Sequence, residues 1–213
     1  MVSKVVLGLA ALTVGVLAST SAQALPTATA DVLPAGRLLV AYAFVDEKPA
    51  GTSSPETLQL ELACVGLGGR TQLDLMRFEP EGRSGQYQLW ARHQFVSETP
   101  SRPALALGAQ DVTREKGDTA FYLGAAKTVT PAGAAGPHYP VVRLYLGRRT
   151  DPVEGTIGGV RFRFSPQVGA LVFLDGRKDL YYGSYTFPGN KVIAYAGKWG
   201  EATFAAVAYS ISL

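Results

Sequence analysis

His93 is the residue whose type and surroundings best fit acid–base chemistry. In residues 86–95 it shares its phase with Ala91 and Phe95, while Gln, Arg and one Trp occupy the alternate positions. Alternate residues of a strand face the same way, so we expect His93 to lie among apolar side chains in the interior. There it would act as an acid or base. The alternative is a core histidine with one hydrogen bond and no catalytic role.

Aromatic residues gathered near the C-terminus predict a binding surface. Tyrosine and tryptophan offer a flat apolar face with a polar edge, which suits a sugar, an aromatic ligand or a partner protein. The alternative is that aromatic residues simply favour strands. The candidates are Tyr181, Tyr182, Tyr185 and Trp199.

Arg161 and Arg163 alternate along one strand, and Arg143, Arg148 and Arg149 flank a nearby one. Such a set would bind an anion. The alternative is a solvated outer face, since alternating charge is common on strands exposed to water.

The single cysteine, Cys64, is in phase with Leu58, Leu60 and Leu62 and is predicted to be a buried thiol. The alternatives are a bridge between chains and a reactive thiol. One cysteine and two histidines are too few for a structural zinc site, so we predict no metal. Nucleophile-elbow and phosphate-loop motifs are missing from the sequence, and we predict no cofactor.

Length and composition indicate one folded domain. The chain has 213 residues, of which 47% are hydrophobic, and 20 Lys and Arg against 17 Asp and Glu give a net charge of +3. This apolar content argues against a disordered chain. The near balance of charge argues against a nucleic-acid partner.

Residues 1–24 predict a secretory signal peptide. Lys4 precedes an apolar run of 13 residues, and Ala22 and Ala24 form a cleavage signal. A spanning helix needs about 20 apolar residues, so this run is too short, and no later run is long enough. We therefore predict a secreted or periplasmic protein without a membrane span. Residues 25–36 are expected to be an extended or disordered lead-in.

The elements that must position these candidates are strands. Period-two alternation recurs along residues 37–213, and no long helical stripe interrupts it. We predict one antiparallel β-sandwich or β-barrel of about ten strands, with long loops over residues 97–118 and 124–138. Residues 169–213 are expected to form a four-stranded antiparallel meander. The predicted strands are 37–45, 57–64, 71–78, 86–95, 139–146, 160–164, 170–174, 180–187, 191–196 and 203–213.

The last predicted strand carries no charge from Ala202 to Leu213. An edge strand open to water would normally carry charge that prevents pairing. This strand is therefore predicted to be central in the sheet or covered by another chain.

Together these features predict an exported, cofactor-free β-domain that binds a small molecule, a glycan or a partner protein. One alternative is a cofactor-free enzyme, an isomerase, cyclase or hydrolase, with its site inside a barrel and with His93, or buried tyrosines and arginines, as acid–base groups. The other is a structural subunit that assembles by β-strand addition through its C-terminal strand or residues 25–36. The sequence leaves the oligomeric state open.

Overall fold

The computed structural model describes residues 29–47, 56–80, 85–114, 119–129, 139–150, 154–175 and 179–213. The predicted signal peptide and His138, in one of the predicted loops, lie outside these residues. The described residues form twelve β-strands. None of them forms a helix long and apolar enough to cross a membrane.

The strands follow one another along the chain with short or medium connections. They are β1 (Arg37–Glu47), β2 (Glu56–Leu67), β3 (Thr71–Pro80), β4 (Gln86–Val96), β5 (Ala104–Gln110), β6 (Ala120–Val129), β7 (Val141–Arg149), β8 (Gly155–Arg163), β9 (Val168–Leu174), β10 (Leu180–Thr186), β11 (Val192–Trp199) and β12 (Ala202–Ser212).

The strands close into one antiparallel barrel. Each strand pairs with its neighbours in the chain, and β1 pairs with β12 from Arg37 opposite Ser212 to Asp46 opposite Thr203. The predicted all-β barrel is confirmed, and each of the ten predicted strands is present. The predicted C-terminal meander is β9 to β12.

Two strands, β5 and β6, lie largely where long loops were predicted, so the loop prediction for 97–118 and 124–138 is partly wrong. In β5 the inward positions are Ala104, Ala106, Gly108 and Gln110, and the small size of the first three gives a weak alternating signal. A Cβ atom on Gly108 would lie 2.1 Å from the ring of Tyr122. The small residues therefore make room for a large neighbour on β6.

The uncharged strand β12 is central, as one of the two alternatives predicted. It pairs with β1 on one side and with β11 on the other. Since both edges are hydrogen-bonded, the strand needs no charge to prevent further pairing.

The barrel has two ends, which we name by their connections. The terminal end is where Arg37 begins β1 and Ser212 ends β12, and it carries the β2–β3, β4–β5, β6–β7, β8–β9 and β10–β11 connections. The far end carries the remaining connections. Alternate residues of every strand face the interior, which we call the lumen, or the outside.

The lumen is unevenly polar. The interior side of β1, β2 and β9 to β12 is mainly apolar, with Leu60, Ile193 and Phe204 in one packed core. Along β3 to β8 the buried positions include charged and amide side chains. These polar residues are Gln72, Asp74, Gln88, Arg92, Gln110 and Arg149.

Candidate functional site

On β4 the polar face points inward and the apolar face points outward. Arg92 is 3% exposed, whereas Tyr87 is 51% exposed. His93 shares the outward face, and its Nδ1 lies 2.9 Å from Oγ1 of Thr71 on the neighbouring strand. The predicted interior position of His93 is therefore wrong. Alternation divides a strand into two faces but does not say which face is buried.

Aliphatic side chains cover the middle of the outer surface. Leu146 is 65% exposed and Leu107 is 56% exposed. Cross-strand partners make the surface continuous, because Leu107 faces Leu123 and Ala125 faces Leu146. We call this surface the belt. Its large aliphatic members are Val40, Leu73, Leu75, Leu89, Leu107, Leu123, Leu144, Leu146, Val160, Val172 and Val207.

Outward aromatic side chains form two rings, one at each end of the belt. The ring towards the far end contains Phe44, Tyr87, Phe121 and Tyr181. The ring towards the terminal end contains Phe95, Phe162, Phe164, Tyr185, Phe187 and Tyr209. Membrane-spanning β-barrels carry aromatic girdles of this kind at both membrane–water interfaces.

Charged groups also lie on the outer surface, and Lys127 is directly opposite Leu144 of the belt. Arg77 forms ion pairs with Glu61 at 3.3 Å and Glu79 at 2.7 Å, towards the far end. Arg148 pairs with Glu154 there as well. Lys127, towards the terminal end, directs its amine to the carbonyl oxygens of Thr99, Pro100 and Arg102 in the β4–β5 connection.

The lead-in enters the lumen. Thr29 and Ala30 are buried, although neither belongs to a strand. Gln94 donates to the carbonyl oxygen of Ala30 at 3.0 Å, and the main-chain nitrogen of Leu33 donates to Gln72 at 2.7 Å. Side chains of the barrel wall, rather than a neighbouring strand, thus satisfy these main-chain groups.

A buried ion pair supports the lead-in from β3 and β4. Nη2 of Arg92 lies 2.5 Å from Oδ2 of Asp74, and Gln72 donates to the other oxygen of Asp74 at 2.5 Å. Nη1 of Arg92 donates to Oγ1 of Thr29 at 3.2 Å and to the main-chain oxygen of Asp31 at 3.1 Å. The guanidinium therefore links the wall to the inserted segment.

A second cluster holds the Asp31 carboxylate. Arg143 donates to Oδ1 through Nε at 2.8 Å and also through Nη2. The hydroxyl of Tyr145 donates to Oδ2 at 2.7 Å, and Nη2 of Arg161 lies 3.5 Å from the same oxygen. Both guanidinium groups also lie over the Tyr145 ring, at 5.8 and 5.9 Å from its centre. We call Arg143, Tyr145 and Arg161 the carboxylate cluster.

The carboxylate of Asp31 is stabilised in its charged form. Burial alone would raise the pKa of Asp31, but the positive charges of Arg161 and Arg143 outweigh burial. The hydrogen bonds from Arg143 and Tyr145 act in the same direction as those charges. The pKa of Asp31 therefore lies below its ordinary value.

The structure separates the predicted aromatic binding residues. Tyr181 and Tyr185 face outward, whereas Tyr182 faces the lumen and packs on Tyr195 and Phe204. Trp199 packs against the core near the far end. The four residues do not form one surface.

The two arginines of the predicted anion site, Arg161 and Arg163, line the same cavity. They share this small cavity with Tyr182, Ser184 and Thr186, near the terminal end of the lumen. The cavity has a volume of about 20 Å³, which is room for about one water molecule. A solvated outer face, the alternative for this pair, is therefore wrong. Arg143 and Arg149 also face the lumen, and Arg148 faces outward.

Sequence reasoning missed Asp31, Tyr145 and the Arg92–Asp74 pair. Asp31 lies in a segment without periodicity, and nothing local to it signals two arginine partners more than 100 residues away. A weak signal existed for the ion pair, since Arg92 and Asp74 both occupy the polar face of an alternating strand. Cys64 is buried, which confirms its predicted place in the core.

Comparison of the sequence with models of known protein families and with curated proteins finds no match.

Proposed function

We propose that this protein is an exported β-barrel that spans a lipid bilayer, with the belt in contact with acyl chains. The observation that carries the proposal is the continuous aliphatic belt between two aromatic rings, outside a barrel whose lumen holds ion pairs. Proteins that are soluble as monomers rarely expose a contiguous apolar surface of this extent.

The strand lengths agree with the thickness of the apolar part of a bilayer. The strands run from 7 to 12 residues. About 10 residues, each rising ~3.3 Å and tilted by about 45°, cover roughly 23 Å. That height is close to the ~25 Å apolar band of membrane barrels. A closed barrel also satisfies all strand hydrogen bonds without water, as a bilayer requires.

Export is part of the proposal. Lys4, the apolar run that follows it and the Ala22–Ala24 cleavage signal support passage through a secretory route. The proposal departs from the sequence-based prediction of no membrane span, because that prediction considered only runs long enough for a helix. Alternating strands cross a bilayer with much shorter apolar runs.

The test places a polarity-sensitive fluorophore on variants that each add one surface cysteine to the chain, in phosphatidylcholine–phosphatidylglycerol vesicles. On Leu146→Cys the dye should report an apolar environment and be quenched by spin labels on the acyl chains. On Glu154→Cys, at the far end, it should be quenched by aqueous iodide. The wild-type chain is the control, because its own Cys64 is buried.

Iodide quenching of Leu146→Cys equal to that of Glu154→Cys would contradict the proposal. So would a protein that stays in the aqueous phase as an oligomer without detergent, because other copies of the chain would then cover the belt.

The two alternative functions receive less support. The enzyme hypothesis named His93, or buried tyrosines and arginines, as acid–base groups, and His93 is exposed on the outer face beside Thr71. Assembly by strand addition requires a free edge, and β12 has both edges paired. The described part of the predicted lead-in lies against the lumen wall.

A further inference from the structure

All three residues of the carboxylate cluster belong to the barrel wall, whereas the carboxylate that they bind belongs to the lead-in. Arg143 and Tyr145 belong to β7, and Arg161 belongs to β8. Asp31 reaches them from 112 residues earlier in the chain. The donors and the acceptor therefore belong to separate parts of the fold.

Arg143 and Tyr145 also have contacts with residues other than Asp31. Nη1 of Arg143 contacts Glu98 and donates to Oγ1 of Thr128 at 2.6 Å. Glu98 is fixed in turn by the main-chain nitrogen of Thr128 at 2.6 Å. The ring of Tyr145 packs edge-on against Phe173. These contacts hold the donors in place for a carboxylate, with Nε and Nη2 of Arg143 towards one oxygen and the Tyr145 hydroxyl towards the other.

The charges favour an anion at the place of Asp31. Arg143 and Arg161 supply two positive charges there, and Asp31 contacts both. Glu98 contacts Arg143 and is shared with Lys127 at 3.9 Å. A planar carboxylate matches two arginines and a hydroxyl better than a spherical halide does, because its two oxygens accept separate directed hydrogen bonds.

The inserted part of the lead-in is held by side chains of the wall, because Gln72, Arg92 and Gln94 bind its main chain between Ala30 and Leu33. A main-chain hydrogen bond follows at its end, where the nitrogen of Gly36 donates to the carbonyl oxygen of Gly66 on β2 at 3.2 Å. Arg161 also lines the small cavity at the terminal end, together with Arg163 and Ser184. That cavity has room for about one water molecule, so a free carboxylate needs the space that Asp31 occupies.

We propose that the carboxylate cluster is a binding site for a small monocarboxylate, which the lead-in closes with the Asp31 side chain. When the lead-in withdraws, a free carboxylate takes the place of Asp31 between Arg143, Tyr145 and Arg161. The inference goes beyond membrane insertion, since it assigns the lumen a ligand class and the lead-in the role of an internal competitor.

The experiment uses the full chain with Asp31→Ala in detergent micelles, and thermal unfolding is followed by circular dichroism. Two buried arginines then lack their carboxylate, so we expect the Tm to fall by about 5–15 °C. Sodium formate or acetate should restore at least half of that loss. Sodium chloride at equal ionic strength should not restore the Tm. In Asp31→Ala/Arg161→Gln the restoration should disappear.

Asp46→Ala is the matched control, because Asp46 is an exposed aspartate at the far end. Its Tm should respond equally to the three salts. An unchanged Tm in Asp31→Ala, or equal effects of formate, acetate and chloride on it, would overturn the proposal.

Should Asp31→Ala not fold, the same salts are compared during refolding from urea. Refolding with formate but not chloride supports the site, and equal failure in both overturns it. The readout in micelles does not depend on vesicle insertion, so failure of the membrane proposal would be seen separately.

Discussion

Arg143 donates two hydrogen bonds, through Nε and Nη2, to a single carboxylate oxygen of Asp31. The two residues are 112 positions apart, and they join the lead-in to the wall of the barrel. The main-chain oxygen of Asp31 binds Arg92 at the same time. One residue outside the strands thus connects both polar clusters of the lumen.

The ion pairs of Asp31 predict a stability that falls in acid. Because the folded pKa of Asp31 lies below its unfolded value of about 3.9, the unfolded chain binds more protons between the two values. The contribution of Asp31 is therefore complete above about pH 4 and is lost as the pH falls through the folded value. Urea unfolding in micelles should show a wild-type advantage over Asp31→Asn that is constant from pH 7 to about 5 and shrinks below pH 4. An advantage that grows on acidification would contradict the prediction.

The belt predicts that Leu146→Arg destabilises the protein in lipid. A cationic side chain on the lipid face near the bilayer midplane costs about 2–4 kcal/mol. In a barrel surrounded by water, the same change at this exposed position would stay within about 0.5 kcal/mol. Guanidinium unfolding in vesicles measures the difference, with Thr156→Arg as the outward control nearer the far end. Equal stability of the two variants would argue against a lipid-facing Leu146.

The buried Arg92–Asp74 pair predicts a large loss on removal of one partner. Arg92→Gln leaves Asp74 charged and buried, which costs about 3–5 kcal/mol of unfolding free energy. Arg148→Gln removes an exposed arginine from its pair with Glu154 and should cost far less. Equilibrium unfolding of both variants in micelles gives the comparison. Similar losses would mean that the lumen is as well solvated as the outer surface.

Close strand contact at Gly197 predicts that a methyl group cannot be added there. A Cβ atom on Gly197 would lie 1.9 Å from the carbonyl oxygen of Tyr181 on β10. Gly197→Ala should therefore destabilise the barrel by about 1–3 kcal/mol. Gly183→Ala is the matched control, since no atom lies within 4 Å of its added Cβ. The prediction is wrong if the two variants unfold at the same denaturant concentration.

The thiol of Cys64 should be unreactive in the folded protein. The residue is 1% exposed, so a maleimide cannot reach the sulfur without local opening of the barrel. Labelling should be slow in micelles and complete within minutes in guanidinium. Rapid labelling of the folded protein would support a reactive thiol, and a disulfide-linked dimer on a non-reducing gel would support a bridge between chains. These were the two alternatives for Cys64.

Strand content was largely predictable because alternation is a local property of the sequence. The strand around His93 was located from its pattern, and so was the meander that ends at Ser212. The strand β5 was missed because three of its four inward positions are alanine or glycine, which leave space for Tyr122 and give no large apolar group to alternate. The same pattern did not reveal which face was inside, and His93 was assigned to the wrong side.

The sequence by itself determined an all-β chain, the phase of each predicted strand and the lack of charge in the C-terminal strand. These features depend on residues close together in the chain. Closure through β1 and β12 decided that polar faces such as that of Arg92 point inward, because the direction of a face depends on what the whole sheet encloses. Closure also brought Asp31 to Arg143 and Arg161. That contact joins residues more than a hundred positions apart, and no local pattern encodes it.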